Sequence, residues 1–428
     1  MQNSTKENER ALLAKATLKG QHDAEDPLAE IKALAETAGV EVAGAVTQNL
    51  ARPHPATYLG KGKVAEMAAQ ASSLDVDVVI TDNDLSPAQE RNLEKITERK
   101  VVDRSQLIMD IFSRRARTRQ SKLQVELAQL RYSLPRLKRM WTHLSRFEGG
   151  IGMRGPGETQ LEEDKRLVAR RIQKLERTLR SLEKQKEASV GHRRGEFVAA
   201  LVGYTNAGKS TLLNNLTASQ EMVEDRLFAT LDTRVRRWPL ESHRHVLLTD
   251  TVGFIKRLPH HLVASFHATL AETQSADILF HVVDSSSPEA LYQMKTVRDV
   301  LQSLQCDGKE TWVLFNKWDQ VPPELMVEAR NLEEKLLPRE RFFRISAKTG
   351  AGLAELAEAV IKRVHQEDQE VDLLLPHQRG DLLSYLSENG RVLSTEYSAE
   401  GVKIKALLSP ARLGKLKGLY PEGFAQKK

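Results

Sequence analysis

The stretch that most constrains this chain is an apolar run, Phe197-Val198-Ala199-Ala200-Leu201-Val202. It leads into Gly203-Tyr204-Thr205-Asn206-Ala207-Gly208-Lys209-Ser210 and then into Thr211-Leu212-Leu213-Asn214. Strand, G-x-x-x-x-G-K-S, helix is the context in which this spacing builds a phosphate-binding loop. The glycines let backbone N–H groups turn inward around a β-phosphate, and the following helix N-terminus adds its positive dipole. Lys209 is expected to reach the β- and γ-phosphates, and the Ser210 hydroxyl to coordinate Mg²⁺. A strand that must feed a helix in this way commits the segment to an α/β layer with a mostly parallel sheet.

Three later segments say which nucleotide. His245-Val246-Leu247-Leu248-Thr249 reads as a strand ending in Asp250-Thr251-Val252-Gly253. An acid there can hold a Mg²⁺ hydration shell, and the glycine N–H can sense a γ-phosphate. Trp312-Val313-Leu314-Phe315 is a strand running into Asn316-Lys317-Trp318-Asp319. The Asp319 carboxylate can accept both N1–H and the N2 amino group of guanine, donors that adenine does not offer together. Ser346-Ala347-Lys348 would close its backbone over the guanine O6. Between the first and second motifs lies Phe228-Ala229-Thr230-Leu231-Asp232, where a switch segment belongs. Thr230 is the expected second hydroxyl on Mg²⁺, with Thr233 as the alternative. The order and spacing are those of a GTP-binding domain over about residues 196–366.

One position departs from the common pattern. Many small GTPases place a glutamine after the glycine of D-x-x-G to orient the attacking water. Phe254 stands there and cannot hydrogen-bond to water, so intrinsic hydrolysis is expected to be slow. A partner, a backbone carbonyl or a monovalent cation would supply the missing function. Asn206 sits where an amide oxygen could help hold K⁺ beside the phosphates.

The rest of the chain reads as separate pieces. Residues 1–26 are polar at the start and expected to be flexible. Over 27–110 helices alternate with strands: helix Leu28–Ala38, strand Val40–Thr47, helix Lys61–Ser72, strand Val76–Ile80, helix Pro87–Glu98 with Ser86 as N-cap, and strand Lys100–Val102. This predicts a small parallel α/β domain. Over 111–190 two long helical stretches, Ile111–Phe147 and Leu161–Ala188, flank the glycine-rich Gly149–Gly157. That pattern predicts an antiparallel helical hairpin with a glycine-rich tip. Residues 367–428 alternate short strands and helices and predict a small α/β C-terminal domain.

Bulk properties mainly exclude. One cysteine, Cys306, in 428 residues leaves no internal disulfide framework. No apolar run approaches the roughly 18–20 residues that span a bilayer, and the first ten residues lack a secretory apolar stretch, so a cytoplasmic protein is expected. The scattered histidines have no Cys or Asp companions at ligand spacing. The net charge of +6 matters less than its placement. Between Arg114 and Arg146 lie ten basic residues and one acid, Glu126, the block where a polyanion would be met.

Outside the nucleotide motifs the chain resembles the HflX family of translation-associated GTPases over nearly its whole length. Gly149-Gly150-Ile151-Gly152-Met153-Arg154-Gly155-Pro156-Gly157-Glu158-Thr159-Gln160-Leu161-Glu162 is similar to that family's signature loop. Tyr58-Leu59-Gly60-Lys61-Gly62-Lys63 and Asp82-Asn83-Asp84-Leu85-Ser86-Pro87-Ala88-Gln89 are similar to its N-terminal motifs. A proline common before the threonine at Thr233 is missing. The resemblance implies binding to the large ribosomal subunit, near the peptidyl-transferase centre, and GTP-dependent splitting or rescue of stalled or stress-inactivated ribosomes. Some members also bind ATP through the N-terminal domain. A basic helix ending in a glycine-rich tip suits structured RNA. Arg136, Lys138 and Arg139 on the helix, with Gly152, Arg154, Gly155 and Gly157 at the tip, are the expected RNA contacts.

Overall fold

The computed structural model describes residues 9–20, 26–137, 156–190, 196–217, 227–228, 234–241, 244–251, 253–256, 273–326 and 341–424. They divide into two compact units. The first holds Met1–Glu183 and also residues 227–228 and 253–256; the second holds the remainder of the phosphate-loop domain and the C-terminal residues.

The first unit opens with a correction. Residues 10–18, expected to be flexible, form strand β1 (Arg10–Leu18), in the interior of a sheet ordered β2-β1-β3-β4. Leu12, Leu13, Ala14 and Ala16 are fully or almost fully buried. The run Arg-Ala-Leu-Leu-Ala-Lys-Ala-Thr-Leu is made of good helix formers, so propensity argued against a strand; burial on both faces overrides it. The other strands are β2 (Glu41–Leu50), β3 (Val78–Thr81) and β4 (Lys100–Asp103), and all pairings are parallel, as expected. Helices α1 (Ala29–Thr37), α2 (Lys61–Ser73) and α3 (Pro87–Thr97) connect them. Ser86 caps α3 as expected: its Oγ accepts from Gln89 N at 3.3 Å while Gln89 Oε1 accepts from Ser86 N at 2.9 Å.

The first arm of the expected hairpin is two helices. Helix α4 (Arg104–Arg115) starts seven residues before the predicted 111 and ends at Ala116, whose ψ of 109° leaves the helical region. Thr118 then starts α5 (Arg119–Leu137), accepting from Ser121 N at 3.1 Å. A capping threonine after a basic run was the signal for this break. The second arm is α6 (Pro156–Val190), 35 residues, about 50 Å long at the usual rise. Leu123, Leu127 and Leu130 pack with Ile172, Leu175 and Leu179 in one cluster. Their spacings of four then three and three then four are mirror images, as an antiparallel pair requires. Arg131–Glu176 and Arg171–Glu126, both at 2.7 Å, flank it. Leu167, nearer the start of α6, stands outside this cluster and is 60% exposed.

In the second unit, six strands lie in the order β10-β9-β8-β5-β7-β6. They are β5 (Val198–Gly203), β6 (Arg234–Glu241), β7 (Arg244–Asp250), β8 (Ile278–Asp284), β9 (Thr311–Asn316) and β10 (Arg341–Arg344), with only β6 antiparallel among these pairings. Helix α7 (Lys209–Thr217) follows β5, α8 (Ala290–Ser303) follows β8 and α9 (Leu353–His365) follows β10. Leu201, Phe280, Trp312 and Leu314 from the sheet meet Leu212 and Leu213 of α7 in one core.

The C-terminal residues give β11 (Gln369–Leu375), α10 (Gly380–Asn389), β12 (Arg391–Ser398), β13 (Gly401–Leu408) and α11 (Pro410–Leu419). Their antiparallel sheet is ordered β11-β13-β12. Leu373 and Ile404 bury against Leu386 and Leu416. Among the described residues no helix is long and apolar enough to cross a membrane.

Candidate nucleotide-binding site

The site stands at the carboxyl ends of β5, β7 and β9, where a twisted parallel sheet opens a crevice between neighbouring strands. Chain order puts β7 on one side of β5 and β8 on the other, so the loop after β5 lies at the point of reversal. Two glycines shape that loop for distinct reasons. Gly203 has a φ of 157°, and a side chain there would strike the Val282 carbonyl of β8. Gly208, at a φ of 92°, is pressed against the Asn316 amide so closely that a Cβ would collide with it. Asn206 adopts the left-handed conformation at a φ of 62° and its residue is exposed.

Lys209 is buried at the start of α7, and its Nζ donates to the Gly203 and Tyr204 carbonyls at 3.1 and 2.7 Å. Burial depresses its ammonium to about 8, against a smaller opposing pull from Asp250. A buried cation that donates to two neutral carbonyls is poised to exchange them for phosphate oxygens. One residue on, the Ser210 hydroxyl donates to the Asp250 carboxylate at 2.9 Å. A hydroxyl and a carboxylate side by side form an all-oxygen donor pair, the ligand type that Mg²⁺ selects. Thr251 Oγ1 donates to Leu201 O at 2.7 Å and pins the start of that loop to β5.

The base-recognition end is built around Asn316. Its Nδ2 donates to the Ala207 carbonyl at 2.7 Å and its Oδ1 accepts from Ala347 N at 2.8 Å. One buried amide therefore ties the phosphate loop to the Ser346–Lys348 loop. Lys317 turns left-handed at a φ of 58° and pairs with Asp284 at 2.7 Å. Trp318 lies under Arg344, 4.9 Å from guanidinium carbon to ring centroid, and Asp319 is left exposed at the mouth. Ser346 Oγ accepts from Thr349 N at 3.1 Å, fixing the last loop, in which Lys348 is exposed. The structure brings Gly203–Thr211, Asp250, Thr251, Asn316–Asp319 and Ser346–Lys348 together at these strand ends. Two contributors were missed in the sequence. Asp284, the acid ending β8, holds Lys317; Asn215 holds Ala347 O at 3.1 Å. The apolar strand closing in Val-Val-Asp was the signal for the first, and no local signal marks the second.

The switch residues fall differently. Ala229, Thr230, Leu231, Asp232 and Val252 lie outside the described residues. Phe228 is buried in the first unit, its ring 4.7 Å and edge-on from Phe112 of α4. Gly253 also belongs to that unit, followed by Phe254 and Ile255, buried to 1% and 0% exposure. Lys256 then donates its N–H to Glu30 at 3.2 Å and receives the Arg104 guanidinium on its carbonyl at 2.8 Å. Arg104, itself buried, pairs with Glu30 at 2.9 Å and with Asp82. This anchor for the D-x-x-G segment was not foreseen; nothing in the sequence separation of Glu30, Arg104 and Lys256 announces it.

Among the expected RNA contacts, Arg136 has another destination. Its guanidinium holds Glu90 at 3.0 Å, Asp103 at 3.1 Å and the Leu85 carbonyl at 2.9 Å, and stacks on Tyr132 at 3.4 Å. It docks the end of α5 onto the sheet's helices. Burial, only partly offset by the Gln106 N–H and Arg136, pushes the Asp103 carboxyl up to about 6. Lys138, Arg139, Gly152, Arg154 and Gly155 lie outside the described residues, and Gly157 is the second residue of α6. Among the described residues no cluster of three or more His, Cys, Asp or Glu is arranged to hold a metal ion.

A phosphate loop, a strand-end aspartate beside the loop serine and an Asn-Lys-x-Asp base loop, on a six-stranded sheet, define a guanine-nucleotide-binding P-loop GTPase. Family comparison extends this to the whole chain. Residues 25–113 match the family model described as GTP-binding GTPase N-terminal, 115–193 that described as GTP-binding GTPase Middle Region, and 198–317 that described as 50S ribosome-binding GTPase. The chain is 43% identical over 408 residues to the GTPase HflX of Caldanaerobacter subterraneus subsp. tengcongensis, covering 95% of this chain and 92% of that one. It is 44% identical over 378 residues to the GTPase HflX of Escherichia coli K12, covering 88% of each. The crystal structure of SsGBP with GDP is 25% identical and covers 84% of this chain and 99% of its own, at a TM-score of 0.48. The chain belongs to the HflX family of GTPases.

Proposed function

We propose that this GTPase is a nucleotide-operated switch that binds the large ribosomal subunit and splits or rescues stalled or stress-inactivated ribosomes. The observation that carries the reading is the anchoring of Phe228 and of the Gly253–Lys256 segment within the first unit, beside the Arg104–Glu30–Asp82 ion cluster. Segments that follow the γ-phosphate are here attached to the unit that also carries the α5–α6 hairpin. Loading with GTP therefore changes what the hairpin-bearing unit is tethered to, which is what a switch acting on a distant partner needs. The match of residues 198–317 to a 50S ribosome-binding GTPase supports the choice of partner.

In the reaction, Lys209 leaves its two carbonyls for the β- and γ-phosphates, and Asn316 holds the phosphate and base loops in one register. Asp319 accepts from the guanine N1 and N2 donors. Mg²⁺, when bound, would be held by Ser210 and Thr230 with Asp250 behind its hydration shell, and would neutralise phosphate charge. The buried Phe254 side chain has no group with which to orient water, so the hydrolytic site is completed by the ribosomal partner, with K⁺ held at Asn206 as the second contributor. RNA contact falls to Lys138, Arg139, Gly152, Arg154, Gly155 and Gly157, and Arg136 serves inside the fold. ATP is not assigned to the N-terminal domain, where the Asn83 amide beside β1 accepts from Ala16 N at 2.8 Å and donates to Ala16 O at 2.9 Å.

GTP hydrolysis by the full chain in K⁺ buffer should rise at least about tenfold with large ribosomal subunits, a floor well below the roughly 10³–10⁵-fold that a partner-supplied group can give. Removing residues 149–157 should abolish the rise and leave the unstimulated rate alone. Equal rates with and without subunits would refute the ribosomal reading, and equal rates in K⁺ and Na⁺ would remove the cation.

A further inference from the structure

Among the described residues the three sheets present six edges, and five of them are protected. An edge strand turns unpaired N–H and C=O groups outward, and short length, charge, proline or a covering segment keeps other strands away. β4 and β10 have four residues each. β6 carries Arg234, Arg236, Arg237 and Pro239. β11 is met by Tyr420, whose hydroxyl donates to Leu374 O at 3.2 Å. The exposed residues of β2, Glu41, Thr47 and Asn49, are all polar. β12 is the exception. Seven of its eight residues are exposed, among them Leu393 at 46% and Tyr397 at 72%, and Glu396 is its one charge after Arg391.

Thr395 and Tyr397 stand opposite Ile404 and Val402 of β13, which are buried with Leu386 of α10 and Leu416 of α11. Opposite residues share a face, so the apolar face of this sheet runs past its helices to an open edge. A bulge between Val392 and Ser394 leaves Leu393 without a partner on β13. The strand is also complementary to itself. About a twofold axis through Thr395, an antiparallel copy puts Leu393 opposite Tyr397 and Tyr397 opposite Leu393, so both apolar side chains are matched at once. The same register sets Glu396 opposite Ser394 rather than against its own like charge. At each end Arg391 comes beside the turn of the other copy that carries Glu400. Both residues are exposed, and neither forms an ion pair among the described residues. A twofold interface requires one patch that matches itself in this way.

We infer that β12 pairs antiparallel with β12 of a second copy of this chain, joining two three-stranded sheets into one of six strands. Main-chain hydrogen bonds hold the two strands together, and Leu393, Tyr397, Arg391 and Glu400 set the register. Two strands of eight residues make an interface at or below the roughly 1,200 Å² low end of stable complexes, so the dimer forms only at micromolar concentrations and above. No residue of the nucleotide site takes part.

The test uses the full chain with GDP and Mg²⁺ bound, followed by sedimentation velocity from about 1 to about 300 µM, a span suited to weak association. The expected result is a reversible rise from monomer to dimer. Tyr397→Lys should weaken the dimer at least about tenfold, since each dimer loses two cross-strand apolar pairs and gains a charge at each edge. Arg391→Glu and Glu400→Arg should each weaken it several-fold alone, because like charges then meet at both ends. An equimolar mixture of these two variants should recover association, because both ends of the mixed dimer pair opposite charges. Unchanged GDP affinity in the variants shows that they are folded. A chain that stays monomeric throughout overturns the proposal and leaves the edge to a strand of another protein. A dimer indifferent to Tyr397→Lys and to both charge variants overturns it as well, by placing the interface elsewhere.

Discussion

Among the described residues, two sheets built mainly of parallel strands have the same reversal point and opposite fates. In the N-terminal sheet, order β2-β1-β3-β4, the chain reverses between β1 and β3; in the GTPase sheet it reverses between β5 and β8. Such a reversal opens a crevice at the carboxyl ends of the strands. Between β1 and β3 the crevice is plugged. Asn83 donates to Ala16 O at 2.9 Å and accepts from Ala16 N at 2.8 Å, and Asp82 pairs with Lys15 at 3.4 Å and with Arg104. Between β5 and β8 the loop carries glycines where side chains would collide and a lysine that donates to two backbone carbonyls. Topology offers a crevice in both places. A site results only where the backbone donors are left for a ligand rather than spent on the protein's own side chains.

Substitutions at the two crevices should therefore separate binding from stability. The largest effect is expected for Lys209→Met. It should weaken GDP and GTP by about a hundred- to a thousandfold, the range that loss of one preorganised donor to a developing anion gives. Thermal unfolding of the nucleotide-free variant should rise rather than fall, because a desolvated ammonium has been removed. Fluorescent-nucleotide titration and a melting curve check the pair, and a melting point lowered by several degrees would break the contrast.

The opposite pattern is expected at the plugged crevice. Asn83→Ala removes both ends of a two-hydrogen-bond clamp and leaves the Ala16 N–H and C=O buried without it. That costs about 1–3 kcal/mol for each group left unsatisfied, with water able to recover part. Urea denaturation should show the loss, and GDP affinity should stay within a factor of two. A variant that lost stability and nucleotide affinity together would mean that the N-terminal sheet is coupled to the P-loop itself.

The contrast also explains what could be read in the sequence. The P-loop, Asp250, Asn316 and Asp319 were legible because a nucleotide demands residue types at fixed spacing near strand ends. Ser86 was legible because its capping partner, Gln89, is three residues away. Strand β1 was hidden by its alanines, leucines and lysine, whose local preference is helical. Tertiary burial, which no short window contains, decides it. The break at Ala116 was local and readable at Thr118, yet the basic run around it suggested one long helix. Arg136 was misdirected because its partners, Glu90, Asp103 and Leu85, lie 33 to 51 residues away in the chain. The Glu30–Arg104–Lys256 anchor spans 226 residues, beyond any spacing rule.

A final measure of the contrast is acid. His281 lies on β8 at 1% exposure, and burial, with the charges of Arg298 and Lys209, depresses its imidazole to about 3. An unfolded histidine titrates near 6.5, so between those values the unfolded state carries a proton that the folded state refuses. Stability contributed by the neutral ring is full above 6.5 and is lost as pH falls, by at most about 1.4 kcal/mol per pH unit. Asp103, in the N-terminal unit, runs the other way. Its folded value of about 6 lies above the ordinary carboxylate, so the folded state takes up a proton first. The cost of burying its charge is relieved as pH falls through 6. Urea denaturation followed at Trp312, buried in the GTPase core, should therefore show a stability falling between pH 6.5 and 5. The fall should be smaller in His281→Gln by up to about 2 kcal/mol over that interval. An equal pH slope in the two proteins would show that the ring is reached by water and carries its charge inside the sheet.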